Sequence, residues 1–318
     1  MSIVERVAEL LGSVPQTHQK PSAPGQEVGI RDLDLIDRAV SEFAEYSGII
    51  EPKEFGAQPV AKGHTAEGKA EPRPARAAGR TTRALRVNLD RLSQQGIITP
   101  GGERTPTAES FRRIKRQILA NVANPRAGAP ANLVLVTSAV AGEGKTFCAI
   151  NLAISIALEV DRTVLLVDAD VARPSVPQAL GVKGERGLLD VLLDRRIELA
   201  EVLWNTNIGK LTLLSAGTAH QRATELLASE TMGVLLREMA ERYPDRIIIF
   251  DSPPLLVASE AAVLASRMGQ IVIVVEAGKT SEAVLKAALG RIDSSNLTGL
   301  LLNKGQGPRR QYDYGDYG

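Results

Sequence analysis

Cysteine, histidine and aromatic residues are scarce in this chain of 318 residues. The single cysteine, Cys148, excludes an internal disulfide, and the three scattered histidines do not have the spacing of a zinc site. Aromatic residues make up 3% of the chain and its formal net charge is +1. Both values argue against a surface that stacks on bases or attracts phosphate backbones. We therefore expect no nucleic acid among the partners.

Long hydrophobic runs are also missing. No apolar run approaches the roughly 18 to 20 residues that cross a bilayer, and the first residues lack the apolar core of a signal peptide. We expect a cytoplasmic protein that reaches the inner face of the plasma membrane only through a partner. What the chain does have is 44% hydrophobic residues, which suits a globular domain with a sizeable core.

The first part of the chain has weak structural signals. Residues 1–50 contain two short amphipathic patches, at 2–11 and 31–46, which we interpret as helical segments that dock onto a partner. Residues 51–82 are rich in Pro, Ala, Gly and charged residues without an apolar period, which indicates a flexible linker.

Residues 83–130 are predicted to form a helical region. Leu85, Leu89 and Leu92 indicate a first helix that Gly96 could end. Thr105-Pro106 is typical of a helix start, with a capping hydroxyl followed by proline at the first helical position. The helix that follows has an apolar stripe of Phe111, Ile114, Ile118 and Val122. Its other face carries Arg112, Arg113, Lys115 and Arg116, which we interpret as a solvated basic face.

From residue 131 onward, short apolar runs alternate with helical stretches. The runs are LVLVT (133–137), TVLLVD (163–168), LTLLSA (211–216), RIIIFD (246–251), QIVIVVEA (270–277) and LTGLLLN (297–303). Unbroken apolar strands separated by helices indicate a parallel sheet covered on both faces. We therefore predict a doubly wound, mainly parallel α/β domain over residues 131–306, followed by a tail at 307–318.

The first of these strands leads into a glycine-rich loop that ends in Gly144-Lys145-Thr146 and continues as a helix. Such a loop binds a triphosphate: its backbone N–H groups face phosphate oxygens, the lysine reaches the β- and γ-phosphates, and the hydroxyl binds magnesium. Ala139 replaces the first glycine of the strict pattern. The residues expected to contact the nucleotide are Ala141, Gly142, Glu143, Gly144, Lys145, Thr146 and Phe147.

A dinucleotide-binding loop is the alternative for this segment. Gly142-x-Gly144 begins the corresponding pattern, and Asp168 lies where a ribose-binding acid would stand. However, Phe147 occupies the position of the third glycine, and Lys145-Thr146 is the hallmark of a phosphate loop. The phosphate-loop interpretation is therefore favoured.

Carboxylates follow two further strands. Asp251 ends one strand, while Asp168 and Asp170 follow another. Because the carboxyl ends of parallel strands meet at one edge of a sheet, we expect these acids to lie beside the phosphate loop. There they would bind magnesium and assist the departure of a proton from a hydroxyl nucleophile. For any single aspartate, the structural alternative is a helix cap.

The tail supplies candidate nucleophiles. Of five tyrosines in the chain, Tyr312, Tyr314 and Tyr317 lie within residues 312–318, among glycines and aspartates. Nine extended residues from Asn303 to Tyr312 could span about 30 Å, which is compatible with modification of the same chain or of a neighbouring one.

These features resemble those of the bacterial tyrosine kinases (BY-kinases) that accompany exopolysaccharide export. The resemblance covers residues 105–318. It rests on AGEGKT (141–146), DADVARP (168–174), GLLDVLL (187–193), LLSAGTAHQRATELLAS (213–229), IIIFDSPP (247–254), LLLNK (300–304) and the tyrosine-rich end. The short N-terminal segment, the linker and the core are most similar to the subgroup encoded with exosortase-type polysaccharide loci.

The resemblance implies an autokinase that transfers the γ-phosphoryl group of MgATP to the tail tyrosines and regulates exopolysaccharide synthesis or export. Lys145, Asp168, Asp170 and Asp251 would be catalytic, and Thr146 would join the three aspartates as a magnesium ligand. Asn303 would lie near the adenine. Glu109, Arg112 and Lys115 resemble an element through which family members form rings, with lysine in place of its last arginine.

The resemblance also implies partners: a separate transmembrane regulator of polysaccharide chain length, further copies of this chain, and a counteracting tyrosine phosphatase. Two other classes share the expected fold. A partitioning or positioning ATPase typically has a second lysine early in the loop, where this chain has Val140, and it lacks a tyrosine tail. A non-catalytic nucleotide-binding adaptor would not need the full set of catalytic groups found here.

Overall fold

The fold is built on a mainly parallel sheet. The computed structural model describes residues 83–103, 105–125, 129–293 and 296–305, and in this part of the chain eight strands form one sheet in the order β1-β4-β5-β3-β6-β2-β7-β8. The strands are β1 (Arg83–Leu85), β2 (Leu133–Ser138), β3 (Thr163–Asp168), β4 (Trp204–Thr206), β5 (Leu211–Leu214), β6 (Arg246–Asp251), β7 (Gln270–Glu276) and β8 (Leu297–Asn303). Neighbouring strands are parallel except β4 and β5, which pair antiparallel.

Helices cover both faces of the sheet. They are α1 (Leu89–Gln94), α2 (Pro106–Ala123), α3 (Lys145–Ala157), α4 (Val176–Leu180), α5 (Leu188–Leu193), α6 (Leu199–Val202), α7 (Ala223–Ala228), α8 (Glu230–Arg242), α9 (Ser259–Ala265) and α10 (Glu282–Leu289). Alternate residues of β2 belong to different cores: Leu133 and Leu135 pack in one cluster, Val134 and Val136 in the other. This two-sided burial confirms the predicted doubly wound α/β fold.

The six predicted strands are present, with small differences at their ends. Two strands were missed, because β1 and β4 have three residues each and are too short to show a period. Leu85 was predicted to begin a helix and lies instead in β1. The helix starts at Leu89, where the side chain of Asn88 accepts a hydrogen bond from the Arg91 amide at 3.1 Å. Gly96 follows its end with a φ of 74°.

Helix α2 begins as predicted, with Thr105 as its cap and Pro106 as its first residue. Its solvated basic face was predicted wrongly at one position. Arg113 and Arg116 are exposed, but Lys115 is only 9% exposed and donates a hydrogen bond to the Ser155 carbonyl oxygen of α3 at 3.2 Å. The Lys115 ammonium also pairs with Glu159. The long methylene stem of lysine packs along apolar surface, so a charged residue here joins the interface between two helices.

A domain boundary is predicted near residue 130, between a helical region and the kinase domain, and this division stays a prediction. Leu92, Phe111 and Ile118 of the predicted helical region are buried in the same core cluster as the apolar side of α3. The segments predicted at 1–50 and 51–82 and the tail at 307–318 lie outside the described residues.

Candidate active site

The glycine-rich loop between β2 and α3 forms one wall of the site. β2 ends at Ser138, and α3 begins at Lys145 with Gly144 as its cap at a φ of 94°. A side chain at Gly144 would be strained, and its Cβ would lie 2.1 Å from Nδ2 of Asn303. Glycine is therefore required where β8 approaches the loop. The first turn of an α-helix leaves its backbone N–H groups without intrahelical partners, so the start of α3 is suited to an anion.

Glu143 holds the loop from within the protein. Its side chain is 1% exposed, and Oε2 accepts a hydrogen bond from the Val140 amide at 2.8 Å. Oε1 accepts from the Thr280 hydroxyl and, at 3.4 Å, from the Glu276 amide. The predicted nucleotide contact of Glu143 can therefore involve only its backbone, because its carboxylate is occupied on the opposite side.

Lys145 and Asp170 form an ion pair in the site. Lys145 Nζ lies 2.9 Å from Asp170 Oδ2, and both side chains are largely buried. The other oxygen, Asp170 Oδ1, accepts a hydrogen bond from the Arg173 amide at 3.1 Å. The lysine is thus held across the mouth of the loop by the second acid of the D-x-D pair, ready to exchange this partner for another anion.

Thr146 links the loop to the end of β6. Its hydroxyl donates a hydrogen bond to Asp251 Oδ2 at 2.6 Å, and its oxygen lies 2.9 Å from the hydroxyl of Ser175. Because Thr146 has one hydroxyl proton, Ser175 must be the donor in the second contact. Ser175 was not singled out from the sequence, since only the chain path after β3 brings it here.

Asp168 contacts the start of a helix and also lies in the candidate active site. Its Oδ2 accepts hydrogen bonds from the amides of Ser175 and Val176, at 2.9 and 3.0 Å, at the start of α4. The N-cap residue of this helix is Ser175, so Asp168 supports the helix start from a distance and is not itself the N-cap considered as the alternative. Asp168 is also directly opposite Asp251 in the register of β3 and β6, at the edge where the loop lies. Its second oxygen, Oδ1, is buried without a hydrogen-bond partner in the described residues.

Burial makes this cluster of acids electrostatically unfavourable without a cation. Burial, with a smaller contribution from the charges of Asp168 and Asp170, raises the pKa of Asp251 to about 7 against the opposing effect of Lys145. Burial likewise raises the pKa of Asp168 to about 6, although the amides of Val176 and Ser175 oppose the change. The pKa of the neighbouring Cys148 rises to about 12, through burial and then Asp251, so this thiol stays protonated.

A magnesium ion fits this environment. Asp168 Oδ1 and Asp251 Oδ1 are buried acceptors without partners, and Thr146 adds a hydroxyl oxygen beside Asp251. Hard oxygen ligands of this kind suit Mg²⁺, which usually keeps several waters and shares phosphate oxygens of its substrate. Within the described ranges no cluster of three or more His, Cys, Asp or Glu side chains is arranged to hold a metal alone. A bound nucleotide and water would supply the further oxygen ligands of such an ion.

Four further predicted residues are described by the structure, whereas the three tail tyrosines are not. Asn303 lies at the loop, where its Nδ2 donates to the Glu143 carbonyl oxygen at 2.8 Å. The side chain of Phe147 packs against the apolar core, and its carbonyl oxygen accepts from Asn151 Nδ2 at 2.9 Å. Glu109 and Arg112 pair with each other on α2 at 2.6 Å. Tyr312, Tyr314 and Tyr317 lie outside the described residues.

Comparison with known proteins identifies the class and then the family. A family profile described as "ParA: NUBPL iron-transfer P-loop NTPase" matches residues 130–255. Tyrosine-protein kinase YwqD of Bacillus subtilis (strain 168) is 32% identical over 238 residues, which cover 74% of this chain and 96% of that kinase. Tyrosine-protein kinase wzc of Salmonella typhi is 27% identical over 232 residues, and this chain spans only 31% of its length.

Solved structures agree with the sequence comparison. The kinase domain of Escherichia coli tyrosine kinase ETK superposes with a TM-score of 0.55 at 25% identity, covering 70% of this chain and 98% of that domain. The chimerical protein CapA2B2 gives a TM-score of 0.55 at 25% identity, covering 67% and 96%.

The parallel sheet and the loop ending in Lys145-Thr146 thus define a P-loop nucleotide-binding protein. The match to nearly all of YwqD places it more narrowly: the chain belongs to the bacterial tyrosine kinase family and is a tyrosine-protein kinase. None of the helices in the described ranges has the length and hydrophobicity needed to cross a membrane.

Proposed function

We propose that this kinase transfers the γ-phosphoryl group of MgATP to Tyr312, Tyr314 and Tyr317 of the same chain or of another copy of it. We further propose that this modification regulates exopolysaccharide synthesis or export. The observation that carries the proposal is the convergence of Lys145, Thr146 and three aspartates at one edge of the sheet. Their roles in the reaction follow from charge and position.

Lys145 would leave Asp170 for the β- and γ-phosphates when the nucleotide enters. Nζ then neutralises charge on the transferred group, as the lysine of a phosphate loop does. Asp170 loses its cation at the same time, so its carboxylate becomes a better base. We assign to it, with Asp168, the removal of the tyrosine hydroxyl proton. The tyrosine oxygen forms its bond to the γ-phosphorus as the bond from that phosphorus to the β–γ bridging oxygen breaks, and ADP leaves.

Magnesium would bind at Thr146 and Asp251, with Asp168 facing the same space. When bound, the ion would supply positive charge that offsets the charge of the phosphate oxygens. Thr146 would turn its hydroxyl oxygen toward the ion, and Asp251 would hold it directly or through water. The buried Oδ1 atoms of Asp168 and Asp251 support this assignment, since each lacks a partner within the described residues. Asn303, fixed at the loop, is the candidate for the adenine side.

A cavity at the start of α4 has room for an acceptor side chain. It has a volume of about 260 Å³ and is lined by Pro174, Pro177, Gln178, Val182, Gly184, Glu185, Ser215, Ala216 and Gly217. Ser175, the residue after Pro174, contacts both Thr146 and Asp168. Pockets for small-molecule ligands are usually about 300 to 1,000 Å³, so this cavity suits a single side chain. We assign it to the tyrosine that receives the phosphoryl group.

Mass spectrometry of the tail tests the proposal. After incubation with MgATP, with and without a candidate membrane regulator, we expect phosphate on the peptide carrying Tyr312, Tyr314 and Tyr317. Tyr243, which is half-buried under the guanidinium of Arg246 at 4.2 Å, provides an internal control and should stay unmodified. A chain in which the three tail tyrosines are replaced by phenylalanine should incorporate no phosphate. An unmodified tail in the wild type under both conditions contradicts the proposal.

The kinase is further proposed to assemble with other copies of itself and with a separate transmembrane regulator, and to be opposed by a tyrosine phosphatase. Support comes from the family resemblance. It also comes from the length of wzc, of which this chain spans 31%. Residues 1–50 are the proposed docking segments. Membership of the exosortase-associated subgroup stays a prediction.

Self-assembly is proposed to use Glu109 and Arg112, which are 51% and 37% exposed on α2. Lys115, the third predicted residue, is buried against α3 and can contribute only by supporting the helix. Combined Glu109→Ala and Arg112→Ala substitution should lower the mass measured by light scattering. Replacing the exposed Arg113 and Arg116 with alanine serves as the control and should leave the mass unchanged. The same mass for all three proteins would exclude this interface.

A further inference from the structure

Lys304 occupies an unusual position at the end of β8. Among the described residues it is the non-glycine residue with a positive φ, at 59°. This left-handed conformation is unfavourable for a residue with a side chain, so its presence requires a compensating contact. One of the contacts that Lys304 makes is with the phosphate loop.

The ammonium of Lys304 has two partners. Nζ donates a hydrogen bond to the Gly142 carbonyl oxygen at 2.7 Å and lies 3.2 Å from Glu276 Oε2 at the end of β7. Asn303, the preceding residue, donates to the Glu143 carbonyl oxygen at 2.8 Å. The last side chain of β8 and the one directly after it therefore hold two consecutive carbonyl oxygens of the loop.

This double contact determines which way the loop peptides face. A phosphate loop works when its N–H groups point at the phosphates, so its carbonyl oxygens must point away and find other donors. Asn303 and Lys304 provide those donors at Glu143 and Gly142. Glu276 neutralises the ammonium, so Lys304 acts on the peptide orientation more than on the phosphates directly.

We propose that Lys304 is a positioning residue that, together with Glu276, preorganises the phosphate loop for the nucleotide. The inference rests on the proposed function in one respect, namely that the loop binds MgADP and MgATP. Because the loop would otherwise have to be ordered on binding, loss of Lys304 weakens nucleotide affinity and leaves the chemical step nearly unchanged.

Calorimetry with MgADP on the full chain measures this effect. Lys304→Met keeps an unbranched side chain and the same backbone conformation but removes the donor. We expect the Kd for MgADP to rise about five- to tenfold. The KM for ATP should rise in parallel, while kcat stays within about twofold. Lys304→Arg, which retains a charged donor, should recover most of the affinity.

Lys279→Met is the matched control. Lys279 also pairs with Glu276 Oε2, at 3.3 Å, but its side chain is 71% exposed and has no contact with the loop among the described residues. Its removal changes the charge near Glu276 by the same amount, and the Kd should stay within about twofold. Equal weakening by Lys279→Met and Lys304→Met would overturn the inference, because it would show a general charge effect.

Glu276→Gln separates positioning from direct attraction. If Lys304 attracted the phosphates directly, removal of its counter-charge would tighten binding, whereas loss of a support for the loop weakens it. We expect the Kd of Glu276→Gln for MgADP to rise, and a lower Kd would refute the positioning role. Unchanged affinity of Lys304→Met would do the same. A wild type that binds no MgADP would instead contradict the proposed function, so the two failures are distinguishable.

Discussion

Lys145→Met is expected to abolish phosphotyrosine formation, with a loss of about a hundredfold to a thousandfold or more. In a phosphate loop the transition-state charge lies on phosphoryl oxygens. Lys145, which lies 2.9 Å from Asp170 in the structure, is the cation proposed to leave this partner and neutralise that charge. Methionine has a similar length but cannot donate a hydrogen bond or neutralise charge. The measurement is the rate of phosphate incorporation into the tail at saturating MgATP.

The fold must survive this substitution for the result to be informative. Asp170 loses its ion-pair partner but keeps the Arg173 amide as a donor, so we expect a destabilisation of about 1–3 kcal/mol. Circular dichroism and thermal unfolding check this loss. Lys286→Met, on the exposed side of α10, is the control and should retain full activity. Retained phosphorylation in Lys145→Met would place catalysis elsewhere.

Asp251→Asn is expected to reduce activity about a hundredfold or more while leaving the nucleotide-free protein at least as stable as the wild type near neutral pH. Asparagine keeps an acceptor for the Thr146 hydroxyl, which donates to Asp251 at 2.6 Å, but removes the charge that would hold the metal. Asp251 is fully buried, so the wild type carries an unfavourable charge that the variant lacks.

The pH dependence of stability provides a second measurement of Asp251. Burial raises its pKa from 3.8 to about 7 in the folded protein, so the protonated side chain stabilises the fold at low pH. This contribution is lost as the pH rises through the folded pKa. The difference in unfolding free energy between Asp251→Asn and wild type should therefore shift in favour of the variant between about pH 4 and pH 7.

Two observations would contradict this account of Asp251. One is normal kinase activity in Asp251→Asn, which would remove the residue from metal binding. The other is a stability difference that does not change with pH, which would mean that burial does not shift the pKa of the Asp251 carboxyl group. Asp161→Asn, at an exposed aspartate before β3, serves as the control and should alter neither activity nor the pH profile.

Much of the core and of the site is local in origin. The strands β3 and β6 have the predicted bounds because each is an unbroken apolar run, VLLV or IIIF, that ends at an aspartate, and such runs have few other stable environments. Asp168 and Asp251 could be placed at the same edge because both end parallel strands, and the register puts them opposite each other. The Gly144-Lys145-Thr146 segment could be identified as part of a phosphate loop from its position between a strand and a helix alone.

Other features could not be predicted because they depend on distant partners. The sequence pattern of α2 predicts that Lys115 lies on the surface, and only the packing of α3 against α2 buries it. β1 is strand-like only because β4, more than a hundred residues later in the chain, supplies its hydrogen bonds. Ser175 enters the site because the chain turns back after β3 and presents its hydroxyl to Thr146.

The amino-acid sequence by itself determined the class of fold, the phosphate loop and the acids at the strand ends, because each depends on residues close together in the chain. The tertiary structure alone decided how the loop is held. Asn303 and Lys304 meet the loop across separations of 160 and 162 residues, respectively. Contacts over such distances leave no local pattern, since they arise only when β8 closes the sheet beside β7.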